Sequence, residues 1–244
     1  MPVDRNILKG FSAELYRSGA ISFGSYRLRS GRVSPYYIDL RIIISRPRLL
    51  RISAELMLDM IKGLTPKPTS LCGIPMTGAV LVSAISAIGD IPGTYIRKEP
   101  SIYRDLLKKA AASGLRCIEE LKDFIGGLGG KGHGVSRLVD GVIENGDRIL
   151  VVDDVITTGE TKLEAVEILE EEARRRGVSI DIVGIAVLVD REEGGAKELA
   201  KRGLKVYRVL SIRDIVETLV SEGLIEGDLA DAIYRYIEGV SGER

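Results

Sequence analysis

With 244 residues, 45% of them hydrophobic, the chain is long enough to close one large α/β domain over a sizeable core. Lysine plus arginine equals aspartate plus glutamate at 35 each, so no net field selects nucleic acid, and no apolar run reaches the roughly 18 residues that crossing a bilayer requires. The two cysteines, Cys72 and Cys117, are too far apart for a CxxC site, and the opening MPVDRNILKG lacks the basic start and apolar run of a secretory signal.

These features lead us to expect a cytoplasmic protein of one domain, residues 1–244, without thiolate-bound metal. The absence of glutamine and the presence of only two asparagines fit the depletion of heat-labile side chains in thermophilic proteins.

In chain order, Ile7, Phe11 and Leu15 recur at helical spacing and predict an N-terminal helix. The polar stretch SYRLRSGRVSPYYIDLR reads as extended. A helix is expected to follow from Ser45, whose hydroxyl can cap it, with Pro47 in its first turn. SLCGIP and TGAVLVSAISAI read as a strand, a turn and a helix.

From Ser101 to Ile125 the apolar residues fall at helical spacings broken by Gly114, which predicts two short amphipathic helices. They run into GGLGGKGHG, Gly126 to Gly134, which carries the only histidine of the chain. Beyond it, RILVVDD, SIDIVGIAVLVDR and KVYRVLSI alternate with helical patterns through EAVEILEEEARRRG, GAKELAKRG, RDIVETLVSEG and DLADAIYRYIEG. Such alternation predicts an α/β fold with a mainly parallel central sheet flanked by helices, with no internal repeat and no linker.

The richest stretch is RILVVDDVITTGET, Arg148 to Thr161: a buried-strand run, two acids, and a hydroxyl- and glycine-bearing turn that enters a helix. At the carboxyl end of a parallel strand the next helix offers unpaired N–H groups and a positive dipole end, to which Thr157, Thr158, Gly159 and Thr161 add hydroxyls and close backbone approach. A phosphate monoester fits there. Asp153 and Asp154 can accept from two neighbouring ribose hydroxyls, or hold Mg²⁺, directly or through water.

This stretch resembles the phosphoribosyl pyrophosphate (PRPP) motif of the type I phosphoribosyltransferases. The resemblance implies that family's fold, with a small N-terminal hood, about residues 1–45 plus part of the C-terminal region. The family usually has a small residue where this chain has Glu160, which is expected to point outward.

SGRVSPYYIDLR, Ser30 to Arg41, and LVDREEGG, Leu188 to Gly195, resemble orotate phosphoribosyltransferase within that family. The resemblance places Arg29, Tyr37, Ile38, Thr157 and Arg191 against orotate; an arginine fork can hold adjacent acceptors in one plane. Arg29 stands where the family typically has lysine. CGIPMTGAV, Cys72 to Val80, matches the pyrophosphate loop and adds Thr77 to the PRPP contacts.

The family also carries a mobile loop reading approximately R-K-E-x-K-x-H-G. Here Arg97, Lys98 and Glu99 are separated from Lys131, His133 and Gly134 by an insertion, about residues 101–130. The resemblance assigns Arg97, Lys98, Lys131 and His133 to the pyrophosphate, with Lys131, His133, Asp153 and Asp154 as the catalytic set, and it implies a homodimer with the loop reaching across. The glycines read as hinges for closure.

Gly127, Gly129 and Gly132 spell GxGxxG but follow a helical pattern, so no dinucleotide turn is expected, and a Walker-type loop lacks its first glycine at Ile125. The rival readings are a phosphoribosyltransferase for a purine or uracil and a PRPP-binding regulator without turnover. On the preferred reading, Lys131→Ala lowers kcat by about 10²-fold or more with PRPP binding retained, because its charge partner arises mainly in the transition state. Steady-state kinetics beside calorimetric PRPP titration checks this.

Overall fold

The computed structural model describes residues 5–27, 31–97 and 137–242. Helix α1 (Arg5–Arg17) leads into a hairpin of β1 (Ile21–Arg27) and β2 (Val33–Ile38), then a 3-10 turn over Leu40–Ser45 and α2 (Pro47–Lys62). There follow β3 (Ser70–Gly73), α3 (Thr77–Gly89), β4 (Gly93–Ile96), β5 (Val139–Asp140) and β6 (Asp147–Ile156). The chain continues through α4 (Glu160–Arg176), β7 (Ile180–Asp190), α5 (Gly195–Lys201), β8 (Val206–Ser211), α6 (Ile212–Ser221) and α7 (Gly227–Gly242).

The central sheet has the order β5-β4-β3-β6-β7-β8, and every pairing is parallel except that of β4 with β5. This matches the expected α/β architecture. Strands β6 and β7 are covered on both faces, which explains why they read as continuous apolar runs. Alternation sends Leu150, Val152, Ala186 and Leu188 to the face covered by α2, α3 and the hood. Ile149, Val151, Ile185 and Val187 face α4 and α5.

The hood is built from both ends of the chain: Phe11 and Leu15 of α1, Tyr36 of β2, and Ile233 and Ile237 of α7 share one core. Its hairpin explains the extended stretch, since β1 pairs antiparallel with β2 from Ile21↔Ile38 to Arg27↔Val33.

Two local expectations are corrected. Ile7 is 51% exposed because Leu8 packs against the core in its place. Ser45 does not cap α2, because its hydroxyl donates to Ile42 O at 3.0 Å within the 3-10 turn; Arg46 holds the cap position without a side-chain bond, and Pro47 is the first helical residue. The two helices expected between Ser101 and Ile125, and with them the 101–130 insertion, lie outside the described residues.

The edges of that gap are firmly held. Arg97 N–H donates to Leu138 O at 2.8 Å, continuing the β4–β5 pairing. Behind it Glu172 of α4, 2% exposed, accepts from Leu138 N–H at 2.8 Å and pairs with Arg176, which donates to Val139 O and Gly141 O. Arg176→Met leaves the buried carboxylate without its cation, an expected loss of about 2–4 kcal/mol, the low end reflecting the partial exposure of the arginine. A lower urea midpoint with unchanged slope is the readout.

Candidate active site

The topology locates the site. From β3 the chain crosses through α3 to β4 on one side, whereas from β6 it crosses through α4 to β7 on the other, so the carboxyl ends of β3 and β6 open a crevice where the strand order reverses. Gly73 pairs with Val152, and Ile74 N–H donates to Val152 O at 2.9 Å, which sets the pyrophosphate-loop candidate beside the two acids. Glycine is required here: a Cβ on Gly78 would meet Val152 O at 2.4 Å and Asp153 Cα at 3.1 Å.

Adjacent strand positions point to opposite faces. Asp153 turns toward α4, where its Oδ2 lies 2.8 Å from Lys162 Nζ, and its Oδ1 accepts from Asp154 N–H at 2.9 Å. Asp154 lies near the Thr77 hydroxyl at the start of α3, which favours its charged form. The two carboxylates remain close enough to interact with each other directly. Burial first, and the neighbouring Asp153 charge second, push Asp154 up to about 7 from the ordinary carboxylate range.

The turn after β6 has the expected form. Thr157 and Thr158 are half-buried, Thr161 is exposed, and Gly159 adopts φ 87°, a left-handed conformation that favours glycine. Glu160 is exposed in the first turn of α4, in keeping with an outward side chain. The turn is backed by α5: Gly195 N–H donates to Thr157 O at 2.9 Å, and a Cβ on Gly195 would meet that oxygen at 2.4 Å.

Arg191 follows β7 and its N–H donates to Ile156 O at 3.1 Å, so it belongs to the same strand-end layer. Its side chain is not at the surface: the residue is 6% exposed, with the guanidinium 4.8 Å from the centre of the Tyr36 ring. Nη2 is ion-paired with Glu193 Oε1 at 2.6 Å, while Nε, also buried, has no hydrogen-bond acceptor among the described residues. The Tyr36 hydroxyl donates to Glu193 Oε1 at 3.1 Å, and its ring meets Tyr236 edge-on at 5.8 Å.

The hood residues of the sequence assignment differ in exposure. Ile38 is 8% exposed and packs in the core, so its side chain offers no face to a ligand. Tyr37 is 39% exposed and lies 5.5 Å from the Tyr26 ring. Tyr36, which the sequence reading passed over, is the aromatic beneath Arg191. The period-2 pattern of VSPYYI, buried at Ser34, Tyr36 and Ile38, was the signal that could have found it. Arg41 was also missed; its charge is held chiefly by the Asp39 hydrogen bond, and more weakly by Tyr37 and Asp154, which puts it at the same mouth.

Arg97 is half-exposed and sits 3.8 Å from Asp140. Arg29, Lys98, Lys131 and His133 lie outside the described residues. Among the described residues no cluster of three or more acids, histidines or cysteines could hold a metal ion, and no helix is long and apolar enough to cross a membrane.

The family model for a phosphoribosyl transferase domain matches residues 42–222. An orotate phosphoribosyltransferase from Cenarchaeum symbiosum is 34% identical over 94% of this chain and 96% of its own length. The bovine uridine 5′-monophosphate synthase is 29% identical over 92% of this chain, which spans 39% of that longer protein. The crystal structure of orotate phosphoribosyltransferase from Aeropyrum pernix superposes with a TM-score of 0.62 at 26% identity, covering 86% of this chain and 98% of that one.

Asp154 supplies a test of the site's electrostatics. Its folded-state value is raised, so the ionised side chain opposes folding; that cost is absent at low pH, grows as pH rises from about 4, and is complete above about 7. Asp154→Asn should therefore raise the melting temperature of the ligand-free protein at pH 8, with the gain vanishing below pH 4, while lowering turnover by about 10²-fold. Thermal scans across pH beside kinetics check both halves.

Proposed function

The chain belongs to the orotate phosphoribosyltransferases of the type I phosphoribosyltransferase family, and from that premise we propose how its own residues carry out the transfer. Orotate N1 forms a bond to C1 of PRPP as the C1–O bond to pyrophosphate breaks, giving orotidine 5′-monophosphate; the N1 proton leaves to solvent. The observation that carries this reading is the meeting of three different groups at one crevice: the Thr157–Gly159 turn, Asp154 with Thr77, and the buried Arg191 with its Nε free of an acceptor among the described residues.

The turn and the start of α4 take the 5′-phosphate on backbone N–H groups and threonine hydroxyls. Asp154 accepts from the ribose diol and, being negative, favours the positive charge that grows on the ribosyl ring. Thr77 and the loop backbone after β3 meet the pyrophosphate, with Arg97, Lys98, Lys131 and His133 as its further partners. Arg191 has an acceptor deficit that a planar, carboxylated pyrimidine fits, since two N–H donors in one plane can each meet a ring or carboxylate oxygen. Tyr36 keeps that plane fixed from below.

The donor set fits Mg²⁺ held mainly by the pyrophosphate oxygens and water, with Asp154 reaching it through water: Asp153 is committed to Lys162, and one carboxylate alone makes a poor cage. When bound, the ion neutralises charge on the leaving group. We take the working form to be a cytoplasmic homodimer.

Loss of orotate absorbance on mixing the protein with PRPP and Mg²⁺ is the expected result, with uracil, adenine and hypoxanthine unreactive. Turnover of one of these bases instead would reassign Arg191. PRPP binding with no turnover of any base would overturn the enzymatic reading.

A further inference from the structure

We propose that Lys162 is a positioning residue for the ribose end of the reaction, acting through Asp153; the role in substrate handling rests on the function given above. Lys162 is the third residue of α4, on the side that faces the sheet, and only 7% of its side chain is exposed. Its ammonium has two neighbours, Asp153 Oδ2 at 2.8 Å and Val155 O at 2.5 Å. A buried ammonium requires such partners, because an uncompensated charge there costs several kcal/mol. Both partners lie on β6 on either side of Asp154.

The consequence falls on the acid between them. With Lys162 on Oδ2 and the Asp154 N–H on Oδ1, the Asp153 carboxylate is held at both oxygens, so it acts as a strut for the strand end. That strut fixes the peptide of Asp154 and thereby the direction of its carboxylate, which lies beside both Thr77 and Asp153. The cation also offsets the Asp153 charge that opposes ionisation of Asp154. Without Lys162, two adjacent carboxylates would face each other's field at a half-buried strand end, and Asp153 would be free to compete for the ribose hydroxyls in a different geometry.

A purely structural lysine would leave a different signature from a positioning one. PRPP affinity by calorimetry, kcat/KM and the melting temperature are measured for Lys162→Met, Lys162→Gln, Asp153→Asn and the Asp153→Asn/Lys162→Met double variant. The expected result for Lys162→Met is a loss of about tenfold or more in PRPP affinity and in kcat/KM for PRPP, with the KM for orotate changed less than threefold. Lys162→Gln, which keeps a neutral donor on a side chain one bond shorter, recovers part of the loss and serves where the methionine variant folds poorly.

In the Asp153→Asn background the same methionine substitution should change PRPP affinity less than threefold, since the group it acts through is gone. Equal losses in both backgrounds, or a lower melting temperature with unchanged PRPP affinity, would overturn the proposal. Because the binding arm needs no acceptor base, it reads on Lys162 even if orotate turnover fails.

Discussion

Two acidic residues in succession on one strand is the constraint around which this molecule is organised. Side by side in a wet cleft they would cost little, but here β6 lies between two helical layers and Asp153 is 7% exposed. The conflict is eased by giving the two acids partners of different kinds: an ammonium from α4 for Asp153 and the neighbouring Thr77 hydroxyl of α3 for Asp154. The partners differ in kind, and so do the results. Asp153 is neutralised and fixed; Asp154 is held by a neutral donor and its ionisation stays finely balanced.

The second buried charge, Arg191, is treated in the opposite way. Its guanidinium is stacked on Tyr36 and ion-paired with Glu193, yet its buried Nε has no acceptor among the described residues. A buried donor left in that state costs about 1–3 kcal/mol. The turn is braced from outside: Glu192, at φ 56°, faces Arg208 and Arg213, while Asp190 Oδ1 accepts its N–H. Opposite side-chain directions at Arg191 and Glu192 thus present one to the hood and the other to a charged outer cluster.

What the sequence made legible follows from the range of the interactions involved. The apolar run, acids, threonines and glycine from Ile149 to Thr161 are contiguous, so one strand-turn-helix unit contains the whole signal, and its fold matches. Arg191 is near a strand end and was identifiable, although the Tyr36 ring beneath it is 155 residues away and no local pattern links the two. Lys162 was invisible for another reason: in a helix rich in charged residues a lysine reads as solvent-facing, and only the packing of α4 on the sheet shows which of its charges is enclosed. Ser45 illustrates a local failure, its hydroxyl being drawn to Ile42 O by a 3-10 turn that the cap pattern does not foresee.

The split between the RKE and KGHG halves of the loop sequence also has a physical account. Its two stems are already joined: Arg97 N–H donates to Leu138 O, β5 pairs with β4, and the Glu172–Arg176 pair ties the return strand to α4. Once the ends of a segment are held together by bonds outside it, lengthening a flexible connection costs only about 0.6 kcal/mol per doubling in closure entropy. The bonds that close the stems, from Arg97 N–H to Leu138 O and from Glu172 and Arg176 to the return strand, are made outside the added residues, so their formation does not depend on the length between them.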